Sequence, residues 1–407
     1  MTVLLVSPFI DPQSVGEPRW CYDLAVALTQ RTETILIAQT PRNRDFCIAD
    51  LFPGVEVHEH APWQMDYVPR RIHALAKPNY LRFYRAARAT LARDIDPRRV
   101  RCAHHFGPLA LRYPTPLQDA PFPYIMGPLG GSLPTPPAFR HERTGEPWYY
   151  VFRDFDRWRF RFDPLLRASY RNSACLVGVA PYVRDVLQPL ALKGFDTRPE
   201  IAAKPPVADI DKVLAERALR PQLRFLIVSR LIFSKAIHYA VEAAARLPRD
   251  ADWRIDILGD GPMRGVLSEM IRDHALADRV TLHGHVPRAR VDDFYRQADV
   301  FLFPSLREPS GAVVFEAMSW GLPMIAADYG GPASHVRPSF GIKLPVGGRG
   351  SFVADLAEAM RSLMVAPERR AAMSAAALAS ARVDNSMAAM ADYFVDLYEK
   401  IGAARGD

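Results

Sequence analysis

The chain has 407 residues, 49% hydrophobic and 24% charged, which excludes a wholly disordered chain and leaves room for about two domains. Fifty-two basic residues stand against 45 acidic ones, a net charge of +7. Residues 1–200 hold 26 basic and 20 acidic residues, so an anionic partner is expected to meet that half. No run approaches the ~18 apolar residues of a spanning helix. The four cysteines (Cys21, Cys47, Cys102, Cys175) lack C-x-x-C spacing, which argues against a disulfide scaffold or zinc ribbon and fits a reducing cytosol.

In chain order, Thr2–Val6 is an apolar, β-branched run that predicts a buried strand and not a signal peptide, since no basic segment precedes it and Pro8 ends it. A Pro/Gly-rich loop (Ser7–Trp20) is expected next, then a helix with Leu24, Ala25 and Leu28 on one face. Further strands are expected at Thr34–Ala38, Val100–Phe106 and Phe122–Met126. In the second half, strands at Arg224–Ser229, Trp253–Leu258, Val280–Leu282, Val300–Phe303 and Pro323–Ala326 alternate with helices at Ile237–Leu247, Val291–Gln297 and Ala312–Trp320. Short apolar strands alternating with helices predict parallel sheets with right-handed crossovers, here two doubly wound, Rossmann-like α/β domains in tandem. Lys204-Pro205-Pro206 marks the junction, giving domains 1–203 and 204–384 and a terminal helix within 385–407.

Parallel sheets bind ligands at the carboxyl ends of their strands, where helix N-termini aim amides at anions. The loop 304–316 fits that rule best. Gly311 allows close backbone approach, and the amides of Gly311, Ala312 and Val313 at a helix start suit a diphosphate, with Ser310 beside them. Glu308 and Glu316 bracket these amides. Carboxylates do not bind phosphate, so they suit sugar hydroxyls; a plain acidic N-cap region is the other reading.

The stretch Ser229–Val336 resembles the C-terminal domain of the retaining nucleotide-sugar glycosyltransferases of family four, which have the GT-B architecture. The resemblance is carried by Gly259-Asp-Gly-Pro262, His283-Gly-His-Val286, Ala298–Ser305, the Glu308/Glu316 pair, Ala317-Met-Ser-Trp-Gly-Leu-Pro-Met-Ile-Ala326 and Gly330-Gly-Pro332, all in the expected order. It implies two domains facing across a cleft, the nucleotide mainly on the second, and residues 385–401 crossing back to the first. It implies that Arg230 and Lys235 clamp the departing diphosphate, that Glu308 holds donor-sugar hydroxyls and Glu316 the ribose, and that His285 and Val286 face the base. Two fixed cations can stabilise the leaving group without a metal. No cofactor is expected beyond a UDP- or GDP-linked sugar as co-substrate.

The first half follows the family more loosely. The family's Gly-Gly in the first loop is Gly16-Glu17 here, leaving Gly16 as a backbone candidate. The family's donor-sugar histidine after the fourth strand is absent, and the chain resembles a branch with a Gly-Pro-x-Gly-Gly loop (Gly127–Gly131) preceded by His104-His105. Gly130, Gly131 and His105 are the candidates from this half. Region 70–101 holds ten basic and two acidic residues. A helix at Asn79–Asp94 would separate Arg82, Arg85, Arg88 and Arg93 from Tyr80, Phe83, Tyr84, Ala87 and Leu91. Such faces suit an anionic membrane interface, or equally a helix packed by its aromatic side. No nucleic-acid-binding motif accompanies the charge. The Asp-x-Asp pairs at 94–96, 154–156 and 209–211 follow no nucleotide-binding strand and are read as chance, not as a metal site.

The expected function is a retaining, metal-independent transfer of a hexose from a UDP- or GDP-sugar to a hydroxyl of a glycan, lipid-linked saccharide or glycolipid in bacterial polysaccharide or lipopolysaccharide assembly. The expected location is the cytoplasm, at the periphery of the inner membrane. Two alternatives stay open: a sugar-nucleotide epimerase or phosphorylase of the same architecture, and a non-catalytic nucleotide-sugar-binding subunit.

Overall fold

The structure, a computed structural model, describes residues 2–42, 44–62, 78–142 and 154–403. Two parallel sheets organise it, with strand orders β3-β2-β1-β4-β5-β6-β7 and β10-β9-β8-β11-β12-β13. The first comprises β1 (Thr2–Ser7), β2 (Glu33–Gln39), β3 (Glu56–His60), β4 (Val100–His105), β5 (Tyr124–Leu129), β6 (Cys175–Gly178) and β7 (Phe195–Thr197). The second comprises β8 (Leu223–Val228), β9 (Trp253–Leu258), β10 (Val280–Gly284), β11 (Val300–Phe303), β12 (Met324–Ala327) and β13 (Gly341–Leu344). Both are Rossmann-like, with helices following the strands.

Burial explains which strands the sequence displays. All six residues of β1 are buried, as are six of the seven in β2, so they read as continuous apolar runs. β3 lies at the sheet edge with every residue half-buried, and its sequence, Glu-Val-His-Glu-His, carries no apolar run. The helix Glu17–Thr29 begins three residues before the end of the expected loop, because Pro18 occupies its first turn, where no N–H is needed.

The chain divides into two compact units. The first contains Met1–Ser132, Val151–Glu200 and Met387–Asp407, and the second Leu133–Tyr150 and Ile201–Ser386. In the first unit the helix Met387–Ala403 packs on the helix Glu17–Thr29 and on β4. The Tyr398 hydroxyl meets Nδ1 of buried His104 at 2.6 Å, and Asp392 pairs with Arg31 at 2.6 Å. In the second unit Phe139 is buried against Tyr239 and Phe352.

The helix Pro78–Arg93 follows one of its two readings, the packed aromatic side. Tyr80, Phe83, Tyr84 and Ala87 are buried in the first unit's core, so its aromatic side is spent on packing and is not available to a membrane. Arg82, Arg85 and Arg93 are exposed, and Arg88 pairs with Asp119 at 2.7 Å. Residues 70–77 of the basic region lie outside the described residues. Among the described residues no helix is long and apolar enough to cross a membrane. In the Asp-x-Asp pairs, Asp96 binds Arg98, Asp156 binds Arg112 and Asp209 binds Arg296.

Candidate active site

The second unit's sheet ends in two loops that are stitched together. After β8 the chain turns through a short 3-10 segment, Phe233–Lys235. The Ser234 carbonyl accepts the amides of Leu306 (3.0 Å) and Arg307 (3.3 Å) and the Ser305 hydroxyl (3.4 Å), which lie just past β11. This docking brings the Lys235 ammonium onto the Glu308 carboxylate as an ion pair. Both side chains are mostly buried, at 13% and 17% exposure, and the ammonium also lies 5.9 Å from the Phe303 ring centre. Arg230, on the same loop as Lys235, is exposed and has no ion pair among the described residues.

Gly311 caps the helix Ala312–Ser319 with φ +89°, a conformation L side chains rarely adopt. A Cβ there would lie 3.2 Å from Phe303 and 3.3 Å from Cγ of Glu308, so the Glu308 side chain runs alongside the start of the helix. The Ala312 and Val313 amides stand in the first turn, where a helix supplies no acceptor of its own. Ser310 is buried, and its hydroxyl has no partner among the described residues. Lys235, Glu308 and Gly311 thus lie together, with Ser310 beside Gly311 in the same loop.

Two glycine motifs support these loops from behind. Gly331 donates its amide to the Glu308 carbonyl at 2.9 Å. A Cβ on Gly330 would lie 2.4 Å from that carbonyl oxygen, and one on Gly331 2.4 Å from the Ser310 carbonyl oxygen. Gly259 and Gly261 likewise press against the Ser229 and Leu231 carbonyls, where a Cβ would meet oxygen at 1.9 and 2.4 Å. Both pairs are there because the backbone behind the site leaves no room for a side chain.

Glu316 is held by two residues the sequence reading missed. Its Oε2 accepts from Nη1 of Arg288 at 2.9 Å and from the Tyr295 hydroxyl at 3.1 Å. Burial, then the neighbouring Glu316 charge, pushes the Tyr295 phenol well above its ordinary pKa, so it stays a donor. The hydrogen bond to Glu316 raises the Arg288 pKa. The helix Arg288–Gln297 presents both residues, and its apolar spacing marks Tyr295 as core without revealing its polar end.

After β10, His285 is exposed, and Val286 is half-buried against a cluster that includes Tyr295. His283 is hydrogen-bonded to Asp256 at 2.6 Å and packs edge-on to Phe294.

The first unit's candidates have other occupations. Gly16 is the exposed cap of the helix Glu17–Thr29, with φ +73° and open space around it. Glu17 accepts the Leu109 amide at 2.6 Å. His105 is 3% exposed and stacks on Tyr80; burial pulls its pKa down to about 3, so the ring is neutral. The Gly130 amide donates to the Leu109 carbonyl at 2.7 Å, and the Gly131 amide to the Tyr182 hydroxyl at 3.0 Å. Both N–H groups are therefore already engaged.

The chain is similar to several known proteins. Alpha-D-kanosaminyltransferase of Streptomyces kanamyceticus is 30% identical over 179 residues, 44% of this chain and 45% of that protein. The matched stretches span about half or less of the curated relatives' lengths. Sucrose-phosphate synthase from Thermosynechococcus elongatus superposes with a TM-score of 0.66 at 19% identity over 99% of both chains. Anabaena Alr3699/HepE, solved in complex with UDP, gives 0.62 at 15% identity over 98% of this chain and 100% of that one. The pair of Rossmann-like sheets is that of the GT-B glycosyltransferases. Residues 211–379, which carry the Lys235–Glu308 pair and Glu316, match the model of the glycosyl transferases group 1 family.

Proposed function

We propose that the chain is a retaining, metal-independent glycosyltransferase of the family-four type, which moves a hexose from a UDP- or GDP-sugar to a hydroxyl of a glycan, lipid-linked saccharide or glycolipid. The observation that carries this reading is the convergence of Lys235, Glu308, Ser310 and the amide end of the helix Ala312–Ser319 on two stitched loops. A diphosphate suits that place, because the amides and the Ser310 hydroxyl can donate to its oxygens and Lys235 and Arg230 carry the opposing charge.

When the glycosidic bond breaks, charge builds on the diphosphate oxygens, and these groups stabilise it without reorganising. Glu308 then accepts from donor-sugar hydroxyls while keeping Lys235 in place. Glu316, steered by Arg288 and Tyr295, accepts from the ribose hydroxyls. The exposed backbone at His285 and Val286 is the proposed seat of the base. The acceptor hydroxyl attacks on the face the diphosphate leaves, passing its proton to a diphosphate oxygen, which preserves the anomeric configuration. The positive charge of residues 1–200 favours an anionic or lipid-linked acceptor, and work at the cytoplasmic face of the inner membrane. Alr3699/HepE, which shares the fold, was solved with UDP, which makes uridine nucleotides the first to try.

The test is a thermal-shift screen of UDP, GDP and their sugars, followed by product analysis with chelator present. A ligand that binds only the native state raises the Tm. Stabilisation by one nucleotide series and α-product from an α-donor in chelator would support the reading. Failure of every nucleotide to stabilise, or product only with added divalent metal, would overturn it.

A further inference from the structure

At the opposite end of the second unit's sheet lies a cavity of about 260 Å³. It opens where β8 begins at Leu223 and where Asp252 and Asp299 precede β9 and β11. The Arg230, Lys235 and Glu308 loops follow the other ends of β8 and β11. At about 3.3 Å per residue, the six residues of β8 separate the two places by roughly 20 Å, so no small molecule touches both.

Four guanidinium groups line the cavity, from Arg217, Arg220, Arg361 and Arg370, against the carboxylates of Asp252 and Asp299. The pairing leaves positive charge uncompensated. Arg217 spends its donors on the carbonyls of Arg296 (3.2 Å), Trp320 (2.9 Å) and Tyr295 (2.8 Å), which orient it but carry no charge. Arg370 donates to the carbonyls of Leu363 and Met364. Arg220 reaches Asp299 at 3.3 Å, yet its buried Nε has no acceptor among the described residues. Arg361 is neutralised by Glu358 at 2.6 Å, and Asp252 is bonded to Gln222 at 2.7 Å. Desolvation pulls Arg217 down to about 10 and lowers Arg370 as well, and the one carboxylate whose charge opposes this, Asp299, is shared with Arg220.

We propose that this cavity is a second anion site, separate from the candidate active site, that takes a phosphate group, either free or on a small metabolite. Guanidinium forks match the tetrahedral oxygens of phosphate, and an anion here offsets the excess of guanidinium over carboxylate charge on the cavity wall. Leu223, Met364 and Val365 add an apolar wall beside the arginines, which suits a sugar phosphate as well as the bare ion.

The experiment titrates inorganic phosphate and glucose 6-phosphate, at constant ionic strength, into the full chain carrying Arg230→Ala and Lys235→Ala, which disables the proposed diphosphate clamp. Saturable binding to that background is expected. It should weaken at least tenfold on adding Arg370→Gln, or Gln222→Glu, which replaces the amide that donates to Asp252 by a second carboxylate on the cavity wall. Tighter binding of glucose 6-phosphate identifies the metabolite as the source, and equal binding identifies free phosphate. Both outcomes support the site. Absence of saturable binding by either probe, or binding that Gln222→Glu leaves unchanged, overturns it. Because the background lacks the clamp, this result is independent of whether the chain transfers sugar.

Discussion

The Lys235 ammonium and the Glu308 carboxylate neutralise each other across two loops 73 residues apart in sequence. Each is the other's countercharge in a largely buried place, so removing one strands the other. Lys235→Ala is expected to cost about 2 kcal/mol of stability, since breaking a buried pair leaves an uncompensated charge. The double variant Lys235→Ala/Glu308→Ala should recover most of that loss. Neither should recover turnover, which is expected to fall at least ~10²-fold because the group proposed to face the leaving diphosphate is gone. Denaturant titration and product formation, run on the same three proteins, separate the two effects. A double variant with near-normal turnover would remove Lys235 from the chemistry.

Arg230 gives the contrasting case. It is exposed and has no ion pair among the described residues. Exposed positions of this kind change stability by within about 0.5 kcal/mol. Arg230→Ala should therefore unfold like the parent protein while losing roughly 10²–10³ in turnover, with most of that loss in kcat. An unchanged kcat with a raised donor KM would make Arg230 a docking residue without a transition-state role.

How much of this was visible in the residues depends on what each residue is bound to. Strands buried on both faces, such as β1 and β2, declare themselves as apolar runs. The edge strand β3, made of Glu, His and Val, has no pattern to show. The motif glycines were legible as motifs, and the structure supplies their reason: Gly259, Gly261, Gly330 and Gly331 press against carbonyls behind the site. Arg288 and Tyr295 were not legible, because their partner Glu316 lies 28 and 21 residues away and no local spacing encodes that contact. His105 shows the opposite error, a reactive residue type at a strand end whose ring is enclosed in the core. Gly130 and Gly131 suited a ligand by type, but their amides are engaged within their own unit.

Tyr295→Phe tests the missed pair. The ring stays buried and only the hydrogen bond to Glu316 is lost, so stability should fall by about 1 kcal/mol. If Glu316 holds the ribose in ground and transition states alike, the donor KM should rise several-fold while kcat changes little. Arg288→Ala should move KM the same way, and the double variant should fall short of the sum, because both act through one carboxylate oxygen. A purely structural Tyr295 would instead lower the Tm and leave KM alone.

The last prediction concerns pH and the first unit's interior. His104 is fully buried, with Nε2 2.7 Å from the Gly127 carbonyl and Nδ1 2.6 Å from the Tyr398 hydroxyl. A carbonyl only accepts, so Nε2 carries the proton and Nδ1 accepts from Tyr398, which fixes a neutral tautomer. Desolvation drives His104 to about 3, and desolvation, with repulsion from His104 whenever that ring is protonated, does the same to His105. Unfolded, both return to about 6.5. Between those values the unfolded chain binds more protons, so stability is present in full above about pH 6.5 and lost as pH falls toward 3. The slope is about 1.4 kcal/mol per pH unit for each ring. Chemical denaturation at pH 7.5 and pH 5.5 should show a drop of about 2–3 kcal/mol from this pair. Buried His238 and His335, lowered to about 4, add to the total drop, so replacing His105 with Gln, which does not titrate, should reduce it by about 1.4 kcal/mol. Equal stability at the two pH values would mean that these imidazoles are solvated or already charged in the folded protein.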